Sequence, residues 1–235
     1  GQGMTRMLGT AVVELWAGSN LAFKLCPMLT QGAIEALDLR GSAAQKQQYL
    51  PKMVSGEWTG TMVLTEPQAG SDLGQIRTRA APAGDHFRLF GQKIFITWGE
   101  HDFTSNIIHM VLARIDGAPS GTQGISLFIV PKFLVNADGS LGARNDALLA
   151  GLFHKMGWRG TTSTALDHDS LRAVNRVTRR QGANDPACAP TPAQQTEIDA
   201  LIAHARSIRP PRRDSIFNGA DDDGSGTVVL LEIAE

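Results

Sequence analysis

The stretch MVLTEPQAGSD, Met62–Asp72, sets Thr65, Glu66, Ser71 and Asp72 around a Pro-Gly loop directly after an apolar run. Pro67 ends the pairing of a strand, and Gly70 permits a conformation closed to other residues. Thr65 and Ser71 offer hydroxyls beside exposed backbone N–H groups. Such a loop can grip a planar heterocycle with carbonyls, or a phosphate, without any side-chain charge. The competing reading is an ordinary turn between strands, with Asp72 capping the LGQIRT turn that follows. A second stretch, GQKIFITWGEHD, Gly91–Asp102, is another strand that ends in Thr and a Gly-containing turn. Phe95 stands two residues before Thr97, so strand alternation puts both on one face. An aromatic and a hydroxyl there could cover and hydrogen-bond a flat ring. An ordinary strand with Phe95 in the core satisfies the same spacing.

The elements that must position these stretches change character along the chain. Residues 1–56 read helical, with interruptions at Gly18-Ser19-Asn20 and at Pro27. Ser42 is the expected N-cap of a short helix that ends near Pro51. Residues 57–166 read as a β-barrel or sandwich. The runs WTGTMVLT, HFRLFGQKIFIT, NIIHMVLARI and GISLFIVPK are rich in strand formers. Turn clusters such as PAGD, WGEHD, DGAPSGTQG and NADGSLGARND separate them. Residues 167–235 are polar, rich in Arg and Pro, and read as an irregular, partly helical segment with linker or disordered character. The expected class is therefore α+β: a partial N-terminal helical domain, a middle β-barrel, and an irregular tail.

Composition limits the functions. Of 235 residues, 42% are hydrophobic and the formal net charge is −1, which points away from nucleic acid and from anionic membrane surfaces. No apolar run approaches the roughly 20 residues of a membrane-spanning helix. GQGMTRMLGT lacks the apolar region of a signal peptide, and the chain opens mid-pattern without a starting Met, as an N-terminally truncated chain would. Two distant cysteines, Cys26 and Cys188, make no disulfide framework and fit a reducing, cytoplasmic setting. The histidines are scattered without helical metal-site spacing, and Asp167-His168-Asp169 reads as a polar loop.

Four stretches make a more specific case: YLPKMVSGEWTGTMVLTEPQAGSD, GQKIFITWGEHD, GISLFIVPKFL and HKMGWRGTTSTAL. Together, and in this order, they resemble the acyl-CoA dehydrogenase family over residues 1–166. The similarity is to the longer bacterial branch, which includes 3-methylmercaptopropionyl-CoA dehydrogenase-like enzymes. The resemblance implies a helical domain, a middle barrel and a C-terminal four-helix bundle, with FAD between barrel and bundle. It implies that Met62, Leu64 and Thr65 line the flavin ring, with Leu64 backbone and the Thr65 hydroxyl on its pyrimidine edge. Gly70 and Ser71 would meet the pyrophosphate or the CoA thioester, and Phe95, Ile96 and Thr97 would form the second wall. The implied reaction is α,β-dehydrogenation of an acyl-CoA thioester, with electron-transfer flavoprotein or a similar acceptor and a homo-oligomeric assembly. The family takes its catalytic Glu from the bundle. After Leu166 no match to that bundle continues, and Glu197 and Glu232 lie outside any family-like context. No catalytic residue is assigned. The expectation is a truncated or rearranged member with little or no activity; the alternative is a non-catalytic flavin- or thioester-binding remnant.

The tail carries a further pattern. In FNGADDDGSGTVVLLEI, Asp221, Asp223, Ser225, Thr227 and Glu232 fall at calcium-ligand positions of an EF-hand loop, with Gly226 at the sharp turn. An exposed acidic loop before a short strand is the alternative, and no partner loop accompanies it.

Overall fold

The computed structural model describes residues 5–173 and 175–176. The chain begins with α1, Arg6–Arg40, whose N-cap Thr5 accepts a hydrogen bond from the Leu8 N–H. Its interruption falls where the sequence places it: Asn20 leaves helical geometry, and its side chain accepts from the Phe23 N–H at 3.0 Å, capping the helix anew. Pro27, by contrast, does not end the helix. Burial of Leu25, Cys26, Ala33, Ala36 and Leu37 against the sheet outweighs the lost backbone bond. The second helix, α2, spans Ala43–Ser55 and opens with a full capping box between Ser42 and Gln45. Gly56, at φ 82°, closes it in the left-handed conformation.

Ten strands follow: β1 Trp58–Val63, β2 Arg79–Ala83, β3 His86–Thr97, β4 Asn106–Ile115, β5 Ile125–Pro131, β6 Phe133–Val135, β7 Leu141–Arg144, β8 Ala147–Leu152, β9 Ser163–Ala173 and β10 Asn175–Arg176. The main sheet has the order β10-β5-β4-β2-β3-β9-β8, with β1 pairing in parallel to β4; β6 and β7 form a separate pair. The sheet curls over an inner core of Val63, Leu89, Val111, Phe128, Val130 and Leu166, drawn from five of its strands and matching the expected α+β helix-then-barrel architecture. Its outer face packs on the helices through Ile108, Met110, Leu112, Trp58, Tyr49 and Leu37. β4 feeds both cores, so Ile107–Ala113 is buried throughout, an apolar run interrupted by His109. Gly60 lets α1 approach: a Cβ there would sit 2.6 Å from Ala33 Cβ and 2.8 Å from Met53 Cε.

Two expectations need correction. The loop read at NADGSLGARND contains β7, which hairpins onto β6. The expected boundary at residue 166 falls inside β9, which runs on through Asp167-His168-Asp169 and pairs with β3 as far as Phe87 and Ala173. His168 is buried there against the inner core rather than lying in a polar loop. A single inward histidine among charged neighbours breaks the apolar alternation that marks a strand.

Candidate functional site: a donor-lined cradle at the ends of two strands

The two motif stretches meet. Beyond β1, Leu64 and Thr65 run alongside β3, and the Ile94 N–H donates to the Thr65 carbonyl at 2.9 Å. The Thr61 hydroxyl donates to the Thr97 carbonyl at 2.7 Å, tying the two ends together again. Glu66–Ala69 then close a tight turn through two reciprocal backbone bonds of 2.9 and 3.0 Å. Asp72 caps the following 3-10 turn, Leu73–Gln75, through the Gly74 N–H.

What this leaves open is a set of donors. Among the described residues, the hydroxyls of Thr65, Ser71 and Thr97 have no hydrogen-bond partner. The backbone N–H groups of Thr65, Gly70 and Ser71 likewise have no acceptor among the described residues. Other threonines near these stretches are spent: Thr61 on Thr97, Thr78 on Glu66, and Thr164 on the Ile96 carbonyl.

The second wall is strained and aromatic. β3 carries one extra residue opposite β9 between Lys93 and Ile96, a bulge that re-aims the chain. Phe95 sits at φ 56° and is 45% exposed. Its ring lies 4.5 Å from that of Phe153, and Lys155 Nζ stands 5.5 Å from it and 5.8 Å from Trp158. The positive-φ non-glycine residues among those described are Phe95, Trp98 and Trp158, all aromatic and all in this region. Such strain costs about 1–3 kcal/mol per residue and collects at functional sites. Trp98 is anchored by its Nε1–H to the Ala22 carbonyl at 3.1 Å, which holds α1 against this edge.

The expected site residues divide accordingly. Leu64, Thr65, Phe95 and Thr97 flank the cradle, and Ser71 is exposed on the loop that follows. Met62 turns toward α1, where its Cε would meet a Cβ on Gly32 at 2.7 Å. Ile96 is a correction: its side chain is 2% exposed in the inner core, and its carbonyl accepts from the Thr164 hydroxyl. The shared face expected of Phe95 and Thr97 is a second correction, because the left-handed turn at Phe95 and the bulge break strand alternation. Gly70 is a third. It is not among the positive-φ glycines, and a Cβ there would meet nothing within 4 Å, so no contact among the described residues calls for glycine.

Sequence reasoning missed the buried machinery under the loop. Glu66, 3% exposed, pairs with the fully buried Lys93 at 2.8 Å. Its carboxylate also accepts from the Thr78 N–H and hydroxyl at 3.0 and 2.6 Å, the Arg77 N–H at 2.6 Å and the Gln68 side chain at 2.7 Å. Lys93 donates as well to the Leu64 carbonyl at 2.9 Å. Burial alone would push the Glu66 carboxyl up; the Lys93 charge and these donors outweigh it and hold it down at about 2. Burial pulls the Lys93 ammonium down to about 8, partly offset by Glu66. The signal was present: Leu89, Gly91 and Lys93 share one strand face, so the face that buries Leu89 also buries a lysine and demands a counter-charge.

Two further buried histidines share the inner face. Neither ring nitrogen of His109 or of His168 has a partner among the described residues. Burial first, then neighbouring positive groups, holds His109 at about 3 and His168 at about 4. Among the described residues no group of three or more His, Cys, Asp or Glu could hold a metal. The calcium-ligand pattern Asp221, Asp223, Ser225, Thr227 and Glu232 lies outside the described residues, as do Glu197 and the rest of the tail. No helix among the described residues is long and apolar enough to cross a membrane. A separate cleft of about 860 Å³ opens between α1, the end of α2 and Phe103–Thr104, and shares no residue with the cradle.

Residues 1–57 match the model of the acyl-CoA dehydrogenase N-terminal domain, and residues 61–169 match that of the acyl-CoA dehydrogenase middle domain. The chain belongs to the acyl-CoA dehydrogenase family. It is 47% identical over 171 residues to the 3-methylmercaptopropionyl-CoA dehydrogenase of Ruegeria pomeroyi, covering 72% of this chain and 29% of that protein. It is 45% identical over 157 residues to a butyryl-CoA dehydrogenase of Syntrophomonas wolfei, covering 66% of this chain and 26% of that protein. Among solved structures it is similar to Caenorhabditis elegans ACDH-11 in complex with C11-CoA, at TM-score 0.55 and 25% identity, covering 71% of this chain and 28% of that one. The chain thus spans under a third of the length of these relatives.

Proposed function

We propose that this chain forms the flavin- and thioester-facing part of an acyl-CoA dehydrogenase. The observation that carries the reading is the pair of unengaged hydroxyls of Thr65 and Thr97 on the wall that carries the exposed ring of Phe95, with the free Ser71 hydroxyl on the loop that follows. Neutral donors beside an apolar ring suit a flat heterocycle with carbonyl edges, so the residues present fit FAD. When bound, FAD supplies the hydride acceptor for α,β-dehydrogenation of an acyl-CoA thioester. Thr65 binds the pyrimidine edge through its hydroxyl, together with the Leu64–Thr65 backbone. Phe95 covers the ring, and Thr97 offers its hydroxyl to it. Gly70 leaves room for close approach, and Ser71 faces the pyrophosphate or the thioester. Met62 contributes by packing α1 against this wall, and Ile96 contributes by anchoring the wall in the inner core.

The α-proton needs a carboxylate. Among the described cradle residues the carboxylates are already committed: Glu66 to Lys93 and three other residues, Asp72 to its cap. The base in this reading therefore comes from outside the described cradle. The acyl chain is left at the level of the class, because the relatives named above differ in it. Electron-transfer flavoprotein or a similar acceptor, a homo-oligomeric assembly and a cytoplasmic setting complete the reading.

Purified chain loaded with FAD provides the test, read by absorbance at about 450 nm. A yellow protein that bleaches with acyl-CoA supports the dehydrogenase. A yellow protein that does not bleach supports binding without turnover, the second reading, which the committed state of Glu66 favours. A colourless protein at saturating FAD sinks the flavin reading.

A further inference from the structure

Lys93 and Glu66 are more than a buried ion pair, because of what else Lys93 holds. Its ammonium donates to the Leu64 carbonyl at 2.9 Å as well as to Glu66 at 2.8 Å. There are no cis peptide bonds in the described chain, so the Leu64–Thr65 peptide is trans. In a trans peptide the C=O and the following N–H point in opposite directions. Drawing the Leu64 carbonyl inward to Lys93 therefore turns the Thr65 N–H outward, and that N–H has no acceptor among the described residues. The next carbonyl, that of Thr65, is taken by Ile94, the residue after Lys93. Glu66 completes the clamp by binding Arg77, Thr78 and Gln68 from the far side of the loop.

We propose that Lys93 and Glu66 are positioning residues that aim the Leu64–Thr65 peptide and lock the loop wall of the cradle to its strand wall. This rests on the flavin reading for its purpose, but the aiming itself is a property of the free protein. The titratable groups facing Lys93 are Glu66 from the loop and His168 from β9, the latter uncharged at neutral pH because burial and Lys93 hold it down at about 4.

The test compares the wild-type chain with the double variant Lys93→Met/Glu66→Gln. The double variant removes both charges together, so no buried charge is left unpaired. Circular dichroism and thermal melting establish that it folds. If it does not, Lys93→Met studied at a stabilising osmolyte concentration takes its place. The first readout is the Thr65 amide resonance in 15N-labelled protein without FAD. In wild type it should shift as Lys93 loses its proton, with a midpoint near 8, and in the variant it should start displaced and stay flat. The second readout is FAD affinity, expected to fall about tenfold or more, as for loss of a hydrogen bond to a well-aimed donor. A Thr65 amide that is the same in both proteins and insensitive to pH overturns the positioning role. So does an unchanged FAD affinity in a folded variant. Failure of the wild type to bind FAD while the amide still responds would count against the flavin reading alone.

Discussion

The two faces of the sheet bury comparable apolar side chains but different chemistry. Toward the helices, Trp58, Ile108, Met110, Leu112 and Ile129 pack with Leu37, Met53 and Tyr49. Toward the barrel interior, Val63, Leu89, Val111 and Val130 share their face with Lys93, His109 and His168. The outer face is a conventional core whose worth is apolar area removed from water. The inner face carries groups that cost free energy to bury. The lesson is that the costly groups lie beside the cradle. Lys93 and Glu66 sit directly beneath its loop, and the strained Phe95 and Trp98 lie next to Ile96, an inner-core residue.

Breaking the inner face should have the largest effect. Lys93→Ala leaves Glu66 buried with its other donors but without a counter-charge, and should cost about 3–5 kcal/mol in chemical denaturation. On the outer face, Met110→Ala should cost about 2–5 kcal/mol through the cavity it leaves, while the fraction that stays folded keeps its flavin affinity. That pair of variants sharpens the contrast: both destabilise, and only the first disturbs the cradle.

Acid should separate the faces as well. His109 and His168 are held at about 3 and about 4 in the fold, against 6.5 when exposed. The unfolded chain takes up protons as pH falls through 6.5, and the folded chain does not. Stability is therefore complete above pH 6.5 and is lost as pH falls toward 4, at about 1.4 kcal/mol per pH unit for each histidine. Glu66 adds its own loss below its unfolded value of 4.5 down to about 2. Melting temperature against pH should show this slope, and His109→Leu should flatten part of it. The smallest effect belongs to the helical edge: Ser42→Ala removes the capping box of α2 and should cost about 1 kcal/mol, with no change at the cradle.

Legibility followed the same division. The outer core was readable, because apolar periodicity and capping chemistry are local: Ser42, Asn20 and the strand β4 fall where spacing puts them. The two cradle stretches were readable as a pair through their hydroxyls and their resemblance to a family. What was lost depends on contacts far apart in sequence. Glu66 and Lys93 are 27 residues apart; strand alternation turns Lys93 inward with Leu89, but nothing local marks Glu66 as its counter-charge. Phe95 was placed by strand alternation, which fails at a bulge that only pairing with β9 creates. His168 was read as loop because its charged sequence neighbours, Asp167 and Asp169, hide any apolar alternation. Gly70 was credited with an unusual backbone that it does not adopt, and a side chain there would meet nothing within 4 Å.

The central claim is that unengaged donors on Thr65 and Thr97 hold a flavin. The most direct measurement is titration of FAD into the wild-type chain and into Thr65→Val/Thr97→Val, which keeps side-chain shape and removes both hydroxyls. The wild type should bind, and the variant should bind at least about tenfold more weakly with an unchanged melting temperature. Equal affinity in the two proteins, or no binding by the wild type at saturating FAD, would contradict the account.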